Sequence, residues 1–343
     1  MDVPCVRVPR EEGEATRQRL ADADLIDDGY ELTVDDGSLY IPVTDPEAVP
    51  DDLEVASRPL EERESQTTPA DLLGYEPSYE RLGRAALLDE DDDERAREIA
   101  DAILESDLPL ETVLNKQSKV KGETRVRDWD LLAGDDTEVV HREYGCEFAL
   151  DLAEVYFSPR LATERNRVAE QIGSGTRRAS ERANGQHQQT TNERAFDMFA
   201  GVGPFVIPFA KRGAECVGVD VNADAIEYLR ENARRNGVED RVTAIRADVT
   251  EIADEYEGWA NRIVMNLPHS ADEFLESAVT IAGDDCTLHY YDIQHEDDPF
   301  GPGEQAIREA ADPEYDVTVE TERVVRSYAP HELNVCLDVR LER

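Results

Sequence analysis

The carboxyl-terminal half of the chain alternates short apolar runs with amphipathic segments. The runs RAFDMF, ECVGVDV, VTAIRADV, RIVMNLP and CTLHYYDI are typical of buried strands, and segments with a helical spacing of apolar residues separate them. The final runs, YDVTVETERVVRSYAP and ELNVCLDVRL, indicate a terminal pair of strands. Strands that alternate with helices predict an α/β fold whose mostly parallel sheet binds ligands at the carboxyl ends of its strands.

The amino-terminal part of the chain carries weaker patterns. Residues 11–24 have the spacing of an amphipathic helix, and the β-rich runs 30–34 and 38–43 flank an Asp-Gly pair that is typical of a hairpin. These elements predict a small α/β module. Residues 45–80 are polar and contain proline, so we interpret them as a linker.

The middle of the chain predicts a helix over 94–106 and two strands within 137–165, joined around Tyr144-Gly145. A segment at about 171–194 is poor in apolar residues and rich in Gly, Ser, Thr and Gln. This composition predicts a flexible polar insert, which loops into solvent.

The charge balance is strongly acidic. The 343 residues include 79 acidic and 36 basic side chains, for a formal net charge of −43, and the acidic residues are spread along the whole chain. Such a chain is typical of a halophile-like proteome, because at about 1 M ionic strength the Debye length of about 3 Å makes self-repulsion tolerable. Local basic clusters then become the better guide to nucleic-acid binding. Lys116, Lys119, Lys121, Arg125 and Arg127 form such a cluster, which we expect to contact RNA.

The cellular setting is indicated by what the sequence lacks. No run of about 18 apolar residues predicts a membrane helix, and the first residues have no apolar signal core. The five cysteines are scattered and form no CxxC pair. We therefore expect a cytoplasmic protein with no structural zinc or other metal, and no membrane partner.

The stretch DMFAGVGPF, from Asp197 to Phe205, has the form of a glycine-rich turn that closes a buried strand. Gly201 and Gly203 leave room for the backbone to approach a ligand. The third glycine of the dinucleotide fingerprint is absent, and Pro204 removes an N–H group that would hold a phosphate. The turn therefore favours a nucleoside-containing cofactor without a pyrophosphate.

Two carboxylates follow the next strands of this pattern. Asp220 ends the second strand, where it can accept from both ribose hydroxyls, and Asp248 ends the third strand near the same rim. Together with Asp197 they favour S-adenosylmethionine over a dinucleotide. The alternative is that Asp197 and Asp220 only cap helices or turns.

Asn266 ends the fourth strand within the motif Asn-Leu-Pro, where the transferred methyl group would lie. Its amide can hydrogen-bond the edge of a planar nitrogen heterocycle, and Pro268 stiffens the turn that presents it. The alternative interpretation is a turn-forming asparagine before a helix.

Several long motifs occur in the order of one known family. GETRVRDWDLLAG, VYFSPRLATER, DMFAGVGPF, VDVNADAIE, IVMNLPHSADEF, LHYYDI and SYAP resemble the archaeal and eukaryotic tRNA (guanine-37-N1)-methyltransferases, which methylate the guanosine 3′ of the anticodon. The resemblance implies a class I, Rossmann-like methyltransferase domain over 159–343, an α+β RNA-binding domain over 75–158, and a small α/β domain over 1–60 that touches the tRNA corner. We expect a monomer that binds tRNA with guanosine at position 37.

The resemblance also assigns roles to particular positions. Glu164 matches the proposed general base that takes the N1 proton, Arg125 the residue that stabilises charge on O6, and Asn266 the residue that orients the base. Arg165 matches a position near the active site, which we expect to bind RNA. With the rim residues above, the candidate cofactor contacts are Tyr156, Arg160, Asp197, Phe199, Gly201, Gly203, Asp220, Asn222, Asp248 and Asn266.

The chemistry of N1 methylation suits these residue types. Guanine N1 bears a proton and a delocalised lone pair, so a carboxylate within reach must remove the proton. A guanidinium at O6 favours the enolate-like form as charge develops, and a base in a loop is extruded at a cost of about a few kcal/mol. The alternative interpretation makes Glu164 a solvated helix residue paired with Arg167, and Arg125 and Arg127 surface charges.

Three other functions stay open. The first is a wyosine-pathway transferase that moves a methyl or aminocarboxypropyl group to the same nucleotide, although the Glu164–Arg125 pair and the Asn-Leu-Pro motif favour N1 methylation. The second is methylation of a small molecule or a protein, which would not need the basic segment and the long amino-terminal half. The third is an RNA-binding protein with a degenerate cofactor pocket, against which the retained Asp197 and Asp220 argue.

Overall fold

The computed structural model describes residues 2–63, 66–118, 122, 126–173 and 193–343. The chain separates into two compact units. Most of the predicted insert lies outside the described residues, as do the predicted site residues Lys119, Lys121 and Arg125. The division into domains over 1–60, 75–158 and 159–343 stays a prediction.

The first compact unit, Met1–Leu72 with Ser106–Leu108, contains a four-stranded antiparallel sheet among its described residues. Its elements in chain order are β1 (Asp2–Pro9), α1 (Gly13–Asp22), β2 (Thr33–Asp35), β3 (Ser38–Pro42), β4 (Glu54–Pro59) and α2 (Pro69–Leu73). β1 lies between β3 and β4, and β2 pairs with β3. Apolar side chains of β1, α1 and β3, among them Val6, Leu20 and Ile41, form its core.

The local predictions for this unit are mostly confirmed. Asp36 and Gly37, between β2 and β3, have φ values of 45° and 77°, as a two-residue hairpin turn requires. The helix predicted over 11–24 is confirmed as α1. Residues 45–80 are not only a linker, because they contain β4, which pairs with β1. The sequence pattern missed β4 because its side chains are mostly exposed and form no apolar run.

The second compact unit comprises Leu73–Glu105 and Pro109–Arg343. Its first described elements are β5 (Glu80–Leu82), β6 (Ala85–Leu88), α3 (Asp93–Glu105), β7 (Thr112–Lys116), β8 (Trp129–Ala133), β9 (Glu138–Glu143) and β10 (Cys146–Asp151). Strands β5 to β8 form a sheet in that order, and α3 connects the parallel strands β6 and β7. The helix predicted over 94–106 is confirmed as α3, and β9 with β10 confirms the hairpin around Tyr144-Gly145.

The catalytic part of the second unit is built on one large sheet. Its described elements are α4 (Ala162–Glu170), β11 (Arg194–Asp197), α5 (Val206–Lys211), β12 (Glu215–Asp220), α6 (Ala223–Arg235), β13 (Val242–Arg246), α7 (Val249–Ile252), β14 (Ala260–Met265), α8 (Leu275–Ile281), β15 (Ala282–His295), α9 (Gly301–Ala311), β16 (Asp316–Ala329) and β17 (Glu332–Glu342). Within the described ranges the strand order is β13-β12-β11-β14-β15-β17-β16. Strands β11 to β15 are parallel, and β17 is antiparallel to both β15 and β16. The predicted α/β fold and terminal strand pair are therefore confirmed.

The topology positions a ligand site at β11. This strand has β12 on one side and β14 on the other. The chain runs from β11 to β12 and β13 toward one edge of the sheet and from β14 to β15 toward the other, so the strand order reverses between β11 and β14. Apolar side chains cover both faces of the sheet, with Phe205 and Leu229 in one layer and Phe196 and Leu288 in the other. Because these strands are buried on both faces, their sequences are nearly continuous apolar runs. None of the helices in the described ranges has the length and apolar character that spanning a bilayer requires.

Candidate active site

The glycine-rich turn follows β11 and presents backbone to the carboxyl rim of the sheet. Gly201, with φ of 51°, donates its N–H to Asp220 Oδ2 at 2.8 Å, and the position that a Cβ would take there faces open space. Gly203, with φ of 93°, differs, because a Cβ there would overlap Leu229. Gly201 is therefore suited to ligand approach, whereas the absent side chain of Gly203 makes room for helix packing.

Two carboxylates lie beside this turn, Asp197 buried and Asp220 partly buried. Asp197 is 3% exposed and accepts a hydrogen bond from Phe199 N–H at 3.2 Å. Burial raises the pKa of Asp197 to about 7, and the charge of Asp220 adds to the rise. Burial also raises the pKa of Asp220, although N–H groups of Asn222 and Gly201 oppose it. Neither carboxylate has a basic partner among the described side chains, so the rim suits a ligand that carries positive charge.

Asn222 and Asp248 cap the helices that begin at this rim. Asn222 Oδ1 accepts from Asp224 N–H at 3.0 Å, and its amide donates to Glu154 O at 2.9 Å. Asp248 Oδ1 accepts from the N–H and hydroxyl of Thr250, at 2.9 and 2.7 Å. Both side chains therefore have structural roles as N-caps, and their predicted contacts with the cofactor stay predictions.

Asn266 follows the last residue of β14 and carries an unsatisfied acceptor. Its Oδ1 is buried and has no hydrogen-bond partner within the described part of the chain. A buried acceptor left unpaired costs about 1–3 kcal/mol, so a ligand N–H at this position would relieve the cost. The residues at the rim thus fit a cationic nucleoside cofactor and a planar nitrogen base.

Within the second unit, a pocket lies between the four-stranded sheet of β5 to β8 and residues 152–160, which precede α4. Arg127 stacks over Trp129 with the guanidinium carbon 5.4 Å from the ring centroid, and Arg160 is ion-paired with Glu80. Tyr156 is partly exposed at the same place. The pocket is lined by Glu80, Leu87, Lys116, Arg127, Trp129, Leu152, Val155, Tyr156, Phe157, Ser158, Pro159, Arg160 and Arg326. Phe199 belongs instead to the rim, where its ring packs edge-on against Phe274 at 5.0 Å.

Glu164 lies on α4 and is 4% exposed. Arg167 donates to both of its oxygens, from Nη2 to Oε1 at 2.6 Å and from Nε to Oε2 at 3.0 Å. The hydroxyl of Tyr291 donates to Oε1 at 3.0 Å, and Arg323 Nε forms an ion pair with Oε2 at 2.9 Å. The predicted pair with Arg167 is therefore present, but Glu164 is a buried carboxylate rather than a solvated helix residue.

A chain of charged groups continues from Arg167 into the sheet. Arg167 Nη1 lies 2.5 Å from Asp338 Oδ2, and His289 Nδ1 lies 2.6 Å from Asp338 Oδ1. Burial acts to raise the pKa of Asp338, but the bonds from His289 and Arg167 outweigh it and hold the pKa well below its usual range. Burial lowers the pKa of His289, so we assign a neutral ring that donates from Nδ1 and accepts from Arg262 at Nε2, 2.5 Å away.

Two of the predicted RNA-binding cations are occupied by protein carboxylates. Lys116 Nζ lies 3.5 Å from Glu80 and 3.0 Å from Asp89. Arg165 is 3% exposed and binds Glu143 through Nε at 2.7 Å and Nη2 at 2.6 Å. Because its guanidinium is enclosed, Arg165 has a structural role in this structure, and its predicted contact with RNA stays a prediction.

The sequence analysis missed three residues of β16 that reach the same region. Arg323 pairs with Glu164, Arg326 lines the pocket, and the ring of Tyr328 packs edge-on against His269 at 5.3 Å. The signal was present, because the motif SYAP at this strand is part of the family resemblance. His269 directly follows the Asn-Leu-Pro turn, so β16 contacts the site at several points.

The order of the strands, the acidic rim and the glycine-rich turn define a Rossmann-like, class I methyltransferase preceded by further amino-terminal elements. The family model for the TRM5/TYW2 methyltransferase domain matches residues 139–178 and 174–320. Models for the tRNA methyltransferase 5 N-terminal domain and the TYW2 N-terminal domain match residues 5–51 and 60–137. The chain belongs to the TRM5/TYW2 methyltransferase family, and its cofactor is S-adenosylmethionine.

Known relatives resemble the chain over most of its length. The tRNA (guanine(37)-N(1))-methyltransferase Trm5b of Pyrococcus abyssi is 40% identical over 98% of both chains, and its crystal structure superposes with a TM-score of 0.70 over 99% of this chain and all of that one. The aTrm5 chain in a solved complex with tRNALeu is 29% identical to this chain. The two superpose with a TM-score of 0.71 over 98% of this chain and 99% of that one. The tRNA(Phe) (4-demethylwyosine(37)-C(7)) aminocarboxypropyltransferase of Pyrococcus horikoshii is 33% identical over 68% of this chain and 78% of its own.

Proposed function

We propose that the protein transfers a methyl group from S-adenosylmethionine to N1 of guanosine 37 in tRNA. The observation that carries this proposal is the 40% identity to the Pyrococcus abyssi guanine(37)-N1 methyltransferase over 98% of both chains. The relative that transfers an aminocarboxypropyl group matches only 68% of this chain, at 33% identity. The match of residues 5–51 to the N-terminal domain of tRNA methyltransferase 5 also favours methylation.

Glu164 is the general base of this proposal. Guanine N1 must lose its proton as it takes on the methyl group, and a carboxylate is the side chain that accepts that proton at neutral pH. The buried position of Glu164 supports this role, because surrounding protein keeps water from competing for the carboxylate. The hydrogen bonds from Arg167 and Tyr291 hold the group in one orientation.

Asn266 and Arg125 orient the guanine and stabilise its charge. The unpaired Oδ1 of Asn266 suits an N–H donor on the edge of a base, such as the exocyclic amine of guanine. The role of Arg125 at O6 rests on the family resemblance alone, since this residue lies outside the described residues. A guanidinium there would stabilise the negative charge that develops on O6 as the proton leaves N1.

The acidic rim holds the cofactor. S-adenosylmethionine supplies a methyl group activated by the positive charge on sulfur, and it also carries an amino group. Asp197 and Asp220, which have no basic partner among the described side chains, offset that charge, and Asp220 additionally accepts from ribose hydroxyls. The open space beside Gly201 admits the ligand to this rim.

The test uses purified full-length protein in molar KCl with two transcripts that differ only at position 37. We expect methyl transfer to the tRNA with G37 and none to the tRNA with A37, and mass spectrometry of the digested RNA should locate 1-methylguanosine at that position. Equal labelling of both transcripts would exclude the proposal. An aminocarboxypropyl product would assign the wyosine-type activity, and RNA binding without S-adenosylmethionine binding or transfer would assign an RNA-binding protein with a degenerate cofactor pocket.

A further inference from the structure

The carboxylate of Glu164 is fully occupied in the free protein. Oε1 accepts from Arg167 and Tyr291, and Oε2 faces Arg167 at 3.0 Å and Arg323 at 2.9 Å. A carboxylate offers about four lone-pair positions, and here each one faces a donor. A general base needs one position for the proton it will take, so one of these donors must leave before guanine N1 can bind.

The surroundings of the donors identify the one that can leave. The hydroxyl of Tyr291 belongs to a completely buried side chain in the sheet. Arg167 is fixed from its other side by Asp338, at 2.5 and 3.1 Å. The side chain of Arg323 is 44% exposed and reaches Glu164 as an ion pair from the edge strand β16. Arg323 can move into solvent because its own side chain is half exposed, and the buried Glu164 then keeps its bonds from Arg167 and Tyr291.

A β-bulge places a second arginine beside Arg323. Arg323 lies opposite Cys336 and Arg326 opposite Asn334, with the register shifted between Val324 and Arg326. Residues three apart on a regular strand point to opposite faces, but the extra residue of the bulge returns Arg326 to the face of Arg323. Two guanidinium groups therefore share one face of the edge strand next to the candidate base.

Arg326 is placed to receive a ligand at this face. Its Nε is buried and has no hydrogen-bond partner within the part of the chain that the structure describes. Arg326 also lines the pocket that contains Trp129 and Tyr156, aromatic side chains on which an extruded base can stack. Adjacent guanidiniums with aromatic neighbours in a chain of net charge −43 fit a phosphodiester of single-stranded RNA.

We propose that Arg323 is an exchangeable cap on Glu164, an inference that rests on the proposed function. In the free protein Arg323 occupies the Oε2 position that guanine N1–H requires. When the RNA loop binds, a phosphate draws Arg323 away to the side of Arg326 and opens that position. Substrate binding therefore uncovers the Oε2 position of the base only when the target nucleotide arrives.

Charged and polar groups from several elements surround Glu164. Arg167 faces it from α4, Tyr291 from β15 and Arg323 from β16. Cys336 and Asp338 of β17 face it through Arg167. Of these, the exchange moves only Arg323, so Glu164 experiences one more cation in the free protein than in the RNA complex.

The experiment compares Arg323→Ala with wild type in single-turnover methyl transfer over a range of tRNA concentrations. Rates at subsaturating tRNA report the free enzyme, and the rate at saturating tRNA reports the complex. Because Arg323 meets the phosphate only as RNA binds, we expect the tRNA concentration that gives half the maximal rate to rise several-fold in Arg323→Ala, with a smaller change in the rate at saturating tRNA. The matched control is Arg340→Ala, since Arg340 lies on the neighbouring strand β17 and pairs with Asp285.

A second measurement needs no cofactor. Binding of tRNA to Arg323→Ala, measured over a range of KCl concentrations, should be several-fold weaker, and the slope of log Kd against log salt should fall by about 1. Arg323→Lys, which keeps the charge, should keep the slope. A larger effect of Arg323→Ala on the rate at saturating tRNA than on the half-maximal tRNA concentration, or an unchanged salt slope, would overturn the proposal. A wild-type protein that fails to methylate G37 would instead overturn the proposed function, and the salt slope would still test the arginine.

Discussion

Two pairs of buried or partly buried carboxylates around the large sheet have opposite surroundings. Asp197 and Asp220, at the carboxyl rim of the parallel strands, have no cation beside them among the described side chains, and burial raises the pKa of each. Glu164 and Asp338, on the side of the antiparallel strands, are held by arginine and histidine. The first pair therefore lacks a neighbouring cation in the described part of the chain, whereas each carboxylate of the second pair binds at least one.

The difference shows how each pair can act. A desolvated carboxylate without a partner is unfavourable until a cation arrives, so the rim gains affinity for a positively charged cofactor. A saturated carboxylate is stable by itself and reacts only after a donor leaves. If the two proposals hold, the rim gains its missing cation when the cofactor binds, whereas Glu164 stays covered until RNA binds.

The largest effect we expect in testing this contrast is on stability. Asp338→Asn removes one of the two buried counterions of Arg167 and the charged partner of His289, and the free energy of unfolding should fall by about 3–5 kcal/mol. Because the pKa of Asp338 is held below its unfolded value, this contribution is complete at neutral pH. Chemical denaturation at constant high salt measures the free energy of unfolding of both proteins. The difference between wild type and Asp338→Asn should shrink below about pH 4.

The matched control for this variant is Asp285→Asn. Asp285 pairs with Arg340 at 2.5 Å on the same two strands, but its side chain is 60% exposed. An exposed pair contributes about 0–1 kcal/mol, so this variant should unfold nearly like wild type. Equal stability losses in both variants would show that burial does not distinguish the two pairs.

At the rim we expect effects of opposite sign on stability and on binding. Because the pKa of Asp197 is raised to about 7, stability of the wild type falls as pH rises from about 4 toward 7. Asp197→Asn removes this penalty and should raise the melting temperature at pH 8. The same change removes a charge that faces the cofactor and should weaken S-adenosylmethionine binding by about 10–100-fold, or 1.5–3 kcal/mol.

The pH dependence of cofactor binding sharpens this prediction. Calorimetric titration should show that wild-type affinity weakens below about pH 7, where Asp197 becomes protonated, and that the affinity of Asp197→Asn does not. Asp240→Asn, which changes an exposed carboxylate of the same domain, should leave both affinity and its pH dependence unchanged. A destabilised Asp197→Asn protein would contradict the description of this carboxylate as uncompensated.

The two pairs also differ in how well the sequence predicts them. Asp197, Asp220 and Asn266 were found because each follows a buried strand, and the ends of parallel strands meet at one rim. Asp338 and Arg323 were not found, because their contact with α4 depends on the register of antiparallel strands. That register includes a bulge between Val324 and Arg326, which no apolar pattern encodes.

The partners of basic residues were also beyond what the sequence pattern could predict. Lys116 stood out because lysine is rare in the chain, and Arg165 because it belongs to a family motif. The sequence did not show that Asp89 and Glu143 lie beside them in space. A cation and the carboxylate that neutralises it are joined by the fold, so basic clusters alone overestimate the surface that is free for RNA.

The most direct test of the account is single-turnover methyl transfer by Glu164→Gln at saturating S-adenosylmethionine and G37 tRNA. The amide keeps the size of the side chain but cannot take the N1 proton. We expect the rate to fall by about 10²–10⁴-fold while the Kd for S-adenosylmethionine stays close to that of wild type. A variant that transfers methyl at the wild-type rate would show that Glu164 is not the base.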